Sequence, residues 1–384
     1  MSDLMQPDPS RPIATGKVKP YRYLVIDGGG MVVTAWTTQR SLERAEDRVR
    51  GAIYIFLTTL ASLSGLIEPG ASVVIAWDGR DNRAWRRGRH PWYKHGRGTV
   101  VNREEIRAVI AQLDGLLVAM GVATVKIDGR EADDLAAAIA TKASATTDVL
   151  VFSDDNDYRQ LVNERVHLSR RSMDGIILTV GTAAVLNVPI GEFYLHQKAI
   201  MGDSGDTIKG LRQIGEAKAL SLLACNPNIV HQCAADPASA DWSNVEGALR
   251  KAFVRAGRRL VSPTDLQDPK FVAAFCKKRG LPMPTESYDV PDEVCLEAAA
   301  REIQWSLDLV TMDYDIEAVI SFPKPNFEAI PRIINRLEMS EETDLYSSLY
   351  RIAGMTAPGT PVSWRATARA GAAIDSGPAL EDKF

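Results

Sequence analysis

Residues 131–157 read EADDLAAAIATKASATTDVLVFSDDND. Glu131, Asp133 and Asp134 open an apolar stretch that predicts a buried helix, and a polar turn over 145–148 separates it from Val149-Leu150-Val151-Phe152. A short continuous apolar run of this kind is expected of a strand buried on both faces. The run ends in Asp154, Asp155 and Asp157. One helix–strand unit therefore delivers acids from a helix start and from a strand's carboxyl end, where open α/β sheets place their ligands. Each half also has an ordinary reading: acids in a first helical turn complement the helix dipole, and Ser-Asp-Asp-Asn is good turn chemistry. The rest of the chain decides between these readings.

Two more strands end the same way. Tyr23-Leu24-Val25-Ile26 runs into Asp27 and Gly28-Gly29-Gly30, and Ser72-Val73-Val74-Ile75-Ala76-Trp77 runs into Asp78. The glycines predict a tight turn; their spacing is not that of a dinucleotide-binding loop, and no Lys-Ser/Thr follows for a phosphate loop. Helices are expected over 50–66, where Ile53, Phe56, Leu57 and Leu60 form one stripe, and over 104–120, with a strand at 123–127. This alternation predicts an α/β class with a mostly parallel central sheet and helices on both sides.

Between the second strand and the helix at 104 lies a basic, aromatic segment. It holds Arg80, Arg83, Arg86, Arg87, Arg89, Lys94, Arg97 and Arg103 with Trp85, His90, Trp92 and Tyr93 interleaved. A solvated charged face is the plain reading. Beside candidate catalytic acids, the same residues could neutralise phosphates and stack on unpaired bases, each stack worth roughly 1–3 kcal/mol. Farther on, 166–180 predicts two short strands around Met173-Asp174-Gly175, and 193–201 a helix leading into Gly202-Asp203-Ser204-Gly205-Asp206. Asp203 and Asp206 would share a side if helical. The Ile214-Gly215 turn opens a further helix whose backbone N–H groups could hold a phosphate.

The chain has 384 residues and a formal charge of −4, enough length for two or more units and no overall basic character. Cys225, Cys233, Cys276 and Cys295 are scattered, which predicts reduced thiols in a cytoplasmic protein and no zinc site. No apolar run of membrane-spanning length is expected, and the N-terminus is unlike a signal peptide. Residues 1–19 and 355–384 read as disordered tails, and 224–350 as mainly helical.

The collected acids are Asp27, Asp78, Glu131, Asp133, Asp134, Asp155, Asp157, Asp203 and Asp206. Two like charges 4 Å apart cost on the order of 4 kcal/mol at an effective dielectric of about 20, so a converging set of this size needs cations. An all-carboxylate set without histidine or thiolate suits magnesium or manganese. A pair of such ions would activate a water against a phosphodiester and stabilise the leaving oxygen.

With these motifs in hand, the sequence resembles the flap endonuclease and 5′→3′ exonuclease family. The resemblance rests on Asp27 with its glycines, Trp77-Asp78-Gly79, Tyr93-Lys94-His95-Gly96-Arg97, Glu131-Ala132-Asp133-Asp134, Ser153-Asp154-Asp155-Asn156-Asp157, and Met201-Gly202-Asp203-Ser204-Gly205-Asp206 running into Ile214-Gly215-Glu216-Ala217-Lys218. It covers about 21–224, with a weaker echo near 307–337. It implies a PIN-like nuclease domain over 20–190 with a helical arch at about 79–103. A helix–three-turn–helix at about 198–224 and a helical C-terminal region would then occupy 191–350.

By the same resemblance Lys94 and Arg97 would touch the scissile phosphate, with Asp155 central to catalysis. Asp27, Asp78, Glu131, Asp133 and Asp155 would serve one metal; Asp134, Asp157, Asp203 and Asp206 would serve the second. Arg83, Arg86, Tyr93, Gly215 and Lys218 would join Lys94 and Arg97 in holding DNA, with K+ near the helix–three-turn–helix. The expected substrates are 5′ flaps and nicked or RNA-primed duplex, the expected ions two Mg2+, and the expected form a monomer that meets replication proteins. Asp154 and Asn156 depart from the family's usual Gly and Lys, and Gly96 from its Asn. A PIN-type endoribonuclease and a catalytically silent DNA-structure binder are the alternatives.

Overall fold

The computed structural model describes residues 20–91, 93–94, 102–172, 175–179, 190–261, 291–317, 319–337, 349–350, 352–354 and 362–363. At its centre is a six-stranded sheet built from β1 (Tyr21–Asp27), β2 (Ile67–Trp77), β3 (Ala123–Lys126), β4 (Val149–Phe152), β5 (Val166–Ser172) and β6 (Gly175–Thr179). The strand order is β3-β2-β1-β4-β5-β6; the first five are parallel and β6 returns antiparallel. The order reverses between β1 and β4, so the crevice beyond their carboxyl ends is the topological switch point.

Continuous apolar strands are explained by cover on both faces. Leu24, Ile26, Val73, Ile75, Leu150 and Phe152 point to one side, under α1 (Gly28–Gln39), α2 (Ala45–Leu63) and α4 (Arg103–Ala119). Their neighbours Tyr23, Val25, Val74, Ala76, Val149 and Val151 point to the other, under α5 (Ala132–Ala143). Alanines 132, 136, 137, 140 and 143 of α5 are buried, and their small side chains let that helix lie close to β1 and β2.

A short helix, α3 (Ala84–Arg89), follows β2. Beyond the sheet come α6 (Ile190–Met201), α7 (Glu216–Cys225), α8 (Ile229–Ala235), α9 (Gly247–Val261) and α10 (Asp292–Val310), packed around Ile200, Leu222, Ile229, Phe253 and Ile303. A two-stranded ribbon of β7 (Val319–Ile320) and β8 (Val362–Ser363) and the helix α11 (Ala329–Arg336) complete the described chain.

Several expectations change. The glycines after β1 are not a turn: Gly28 starts α1 directly, with Asp27 as its cap accepting the Gly30 N–H at 2.8 Å. A Cβ at Gly28 would come within 2.5 Å of Ile75 and 2.6 Å of Trp77, so only glycine lets the helix leave the strand so tightly. Residues 45–66 are long and apolar enough to cross a membrane by length and composition, contrary to the sequence expectation. Half of that window is buried in the protein, because α2 is a core helix of the sheet's first face. The C-terminal tail expected to be disordered contributes β8, whose backbone pairs with Val319–Ile320. Residues 1–19 lie outside the described set.

One polar network ties the helices on the first face. Glu105 accepts the Trp36 indole N–H at 2.7 Å and two Arg48 guanidinium bonds at 2.9 and 2.6 Å, while Asn102 caps α4 and donates to the same carboxylate at 2.9 Å. Glu105→Ala leaves a buried indole N–H and a guanidinium short of their acceptor, and should lower unfolding free energy by about 3 kcal/mol. Arg48 keeps its bonds to the Leu42 and Glu43 carbonyls, which sets the loss at the lower end of the buried-pair range. Urea unfolding should show a lower midpoint with unchanged slope.

Candidate metal centre

The acids arrive at the switch point from strand ends, a helix start and a loop, and backbone N–H groups aim several of them. Asp27 caps α1 and also accepts the Ser153 hydroxyl at 2.9 Å. Asp78 accepts the Ala132 N–H at 2.9 Å, at the start of α5, and its carboxylate and that of Asp27 both flank Gly29. Asp155 accepts the Asp157 N–H at 2.9 Å, opening a short 3-10 turn after β4. Asp203 accepts the Gly205 N–H at 2.9 Å and pairs through its backbone with Ile208.

The carboxylates form two groups of three, each with one ligand atom per residue lying within 4.8 Å of the others: Glu131, Asp133 and Asp134 on α5, and Asp157, Asp203 and Asp206. Lys94 joins the groups, its ammonium 3.0 Å from Glu131 and 3.3 Å from Asp206. Lys198 on α6 bridges Asp157 and Asp203 in close ion pairs. Sequence reading missed Lys198. Its available signal was a lysine on the helix that runs into the Asp203 loop.

Arg86, His90 and Tyr93 of the basic, aromatic segment turn inward. Arg86, 3% exposed, donates to Glu131 at 2.6 Å and forks onto Asp134 at 2.9 and 2.7 Å, and its remaining bonds go to the Leu309 and Thr311 carbonyls. The Arg86 guanidinium is thus engaged by buried carboxylates. Asp134, 1% exposed, accepts that fork and the Asp313 N–H at 2.9 Å. Tyr93 is also buried, with its hydroxyl donating to Asp206 at 3.1 Å, and offers no face to a base. His90 is held by Asp308 at 2.6 Å and by the edge of Trp305.

Other sites keep their exposure. Arg83 is half-buried, while Gly215 is exposed at the N-terminus of α7 and Lys218 is exposed one turn on, bonding the Gln213 carbonyl at 2.9 Å. Arg97, Trp92, His95 and Gly96 lie outside the described residues. The Asp154 carboxylate accepts the Arg171 N–H at 2.7 Å, and Asn156 accepts from Arg170 at 2.9 Å. Asp155 is the acid whose charge reaches both Asp27 and Asp157. That separates the roles of the neighbouring aspartates.

Burial and like charge act on these groups together. Burial, offset in part by the Gly30 and Ser153 bonds, pushes Asp27 up to about 6. Burial pushes Asp157 to about 6 against the pull of Lys198. Asp133 is raised well above the carboxylate range by burial and by Asp134 and Glu131. Burial works the same way on Glu131, but Lys94 and Arg86 outweigh it and hold it low. The donor set is all oxygen. Such a set fits hard divalent cations.

Comparison with known proteins agrees in kind. Residues 22–187 match the family described as 5′-3′ exonuclease, N-terminal resolvase-like domain. That stretch of the chain is similar to a 5′-3′ exonuclease domain. Across the curated proteins the chain is 25% identical to the 5′-3′ exonuclease of Buchnera aphidicola over 75% of this chain and 97% of that one. It is 29% identical to the flap endonuclease Xni of a Shewanella species over 53% of this chain and 74% of that one. It is 27% identical to the thermostable DNA polymerase I of Thermus aquaticus over 53% of this chain, and there it spans 24% of the relative's length. The acids of β1, β2, α5 and β4 lie inside the exonuclease domain; Asp203, Asp206 and Lys198 lie beyond its matched end.

Raised carboxylates of this kind would make cation binding at the site pH-dependent. Asp27 and Asp157 are protonated below about pH 6 and must lose those protons to bind a metal. The rise in melting temperature caused by Mg2+ should be full near pH 8 and largely gone by pH 5. Melts at fixed Mg2+ across that range should show the change centred near pH 6.

Proposed function

We propose that the chain is a metal-dependent, structure-specific 5′ nuclease, with 5′→3′ exonuclease and flap endonuclease activity on flaps and on nicked or RNA-primed DNA duplex. The observation that carries this reading is the joining of two carboxylate triads by Lys94, with Lys198 inside the second. Carboxylates gathered at a switch point, oriented by backbone N–H groups and paired with two ammonium groups, suit phosphodiester hydrolysis better than duplex binding alone. The exonuclease and flap endonuclease names of the relatives support the same choice.

Asp27, Asp78, Glu131, Asp133 and Asp155 would hold one ion, and Asp157, Asp203 and Asp206 the other. Bound Mg2+ would supply the activated water and charge stabilisation at the phosphate. The chain's own residues do the rest. Lys94 and Lys198, released from carboxylates that a cation neutralises, can turn their ammonium groups to the phosphate oxygens and offset charge as it develops. Arg97 joins them on the strength of the family resemblance. Arg86 and Asp134 act as positioning residues, fixing Glu131 from behind. Gly215 and Lys218, at the start of α7, present N–H groups and a cation to a duplex backbone, with K+ as the monovalent ion suited to that turn.

End-labelled 5′-flap duplex should be cut near the flap junction in Mg2+ and left whole in EDTA, with 3′-flap and single-stranded RNA controls cleaved far more slowly. Asp155→Asn should lower the rate by roughly a hundredfold or more, the scale of removing one group that stabilises the transition state. Lys198→Ala should lower turnover while flap binding changes little. Tight flap binding without cleavage in either Mg2+ or Mn2+ would sink the enzyme reading, and faster cleavage of RNA would favour an endoribonuclease.

A further inference from the structure

On α6, residues two apart lie about 200° apart around the axis. Tyr194 and Lys198 therefore occupy one side, where Lys198 meets Asp157 and Asp203, and Glu192 and His196 occupy the other. That second side faces α8, which contributes His231. Glu192 Oε1 is the point on which both imidazoles converge: His231 Nε2 lies 2.8 Å from it and His196 Nε2 3.9 Å. The two rings meet edge to face with centroids 4.7 Å apart. One ligand atom from each of the three residues lies within 4.8 Å of the others.

We propose that Glu192, His196 and His231 form a second metal site, separate from the carboxylate centre, that takes a borderline divalent cation of the zinc class. Metal–ligand bonds of about 2.0–2.1 Å in a tetrahedron put ligand atoms about 3.3 Å apart. The observed 2.8 and 3.9 Å bracket that spacing, so small side-chain movements close the triangle around an ion. His196 is 3% exposed and its Nε2 points at the carboxylate from beyond hydrogen-bond reach. His231 is exposed, with 58% of its side chain accessible, which gives an ion a route in and leaves the fourth position to water.

The donor types sort the ions. Two imidazoles and one carboxylate favour zinc-class cations over magnesium, whereas the oxygen-only centre favours hard ions. The bound ion would staple α6 to α8 and fix the rotation of the helix that presents Lys198. No part of this depends on the nuclease reading.

The full-length chain, stripped with chelator and returned to millimolar Mg2+ to fill the carboxylate centre, is titrated with Co2+ and then Zn2+. One equivalent of Co2+ should give the visible absorption of tetrahedral cobalt, and Zn2+ should displace it and raise the melting temperature. His231→Ala, at an exposed position that leaves folding intact, and Glu192→Gln should each abolish the band and weaken binding by about tenfold or more. Asp155→Asn should leave both signals in place. The proposal is overturned if the wild-type chain takes up no equivalent of Co2+ under these conditions. It is equally overturned if the band survives both His231→Ala and Glu192→Gln, or is lost in Asp155→Asn, because the ion would then sit among the carboxylates.

Discussion

The compensation of converging negative charge is the constraint on which the rest of the molecule depends. Lys94 is shared between Glu131 and Asp206, Arg86 between Glu131 and Asp134, and Lys198 between Asp157 and Asp203. Each like-charge contact would cost on the order of 4 kcal/mol at 4 Å and an effective dielectric of about 20. A few uncompensated contacts would match the whole stability of an ordinary domain. Placing the acids at strand ends and helix starts lets N–H groups share the load: Gly30 on Asp27, Ala132 on Asp78 and Gly205 on Asp203. Burial first, and like charge after it, keeps Asp27, Asp133 and Asp157 raised all the same.

The same demand explains backbone strain at the site. Lys94 has φ +51° and Thr207 φ +66°, left-handed values that cost non-glycine residues about 1–3 kcal/mol. Lys94 is held there by its ion pairs and by its N–H bond to the Asp206 carbonyl at 3.3 Å, next to the Tyr93 hydroxyl on the Asp206 side chain. The base of the arch and the Asp203–Asp206 loop are thus one clamped unit. Close approach tightens it further, since a Cβ on Gly210 would fall 2.2 Å from the Gly202 nitrogen. A cation held by these carboxylates would compete with the bonds that keep Lys94 in that conformation.

How much of this was legible in the sequence depended on whether the signal was local. The strands β1, β2 and β4 could be read because burial on two faces leaves unbroken apolar runs, and the acids could be read because they follow those runs directly. The direction in which the basic, aromatic segment faces was not legible. Arg86, Tyr93 and His90 have the composition of a nucleic-acid surface, yet all three are buried against acids and α10. Composition records which groups a segment holds but not which side they take, and the deciding partners lie far away in sequence. Lys198 escaped for a related reason: a lone lysine on a helix looks like surface charge until the fold places two aspartates beside it.

Those distant partners also separate the extent of family similarity from the extent of physical closure. The exonuclease match ends at residue 187. The cover over Arg86 comes from the end of α10 and the turn after it. Leu309 and Thr311 supply carbonyls to its guanidinium, Asp313 donates its N–H to Asp134, and the Asp313 carboxylate pairs with Arg130. Gln160, in the turn after β4, donates to the Val310 carbonyl at 3.0 Å and accepts the Met312 N–H at 3.0 Å. Without that segment, the Arg86 fork on Asp134 would face water, where an ion pair is worth about 1 kcal/mol or less. Burial of the guanidinium is what makes the pair rigid and keeps Glu131 aimed at Lys94. The helical C-terminal region is therefore part of the centre's electrostatics, although the acids it stabilises stand more than a hundred residues earlier in the chain.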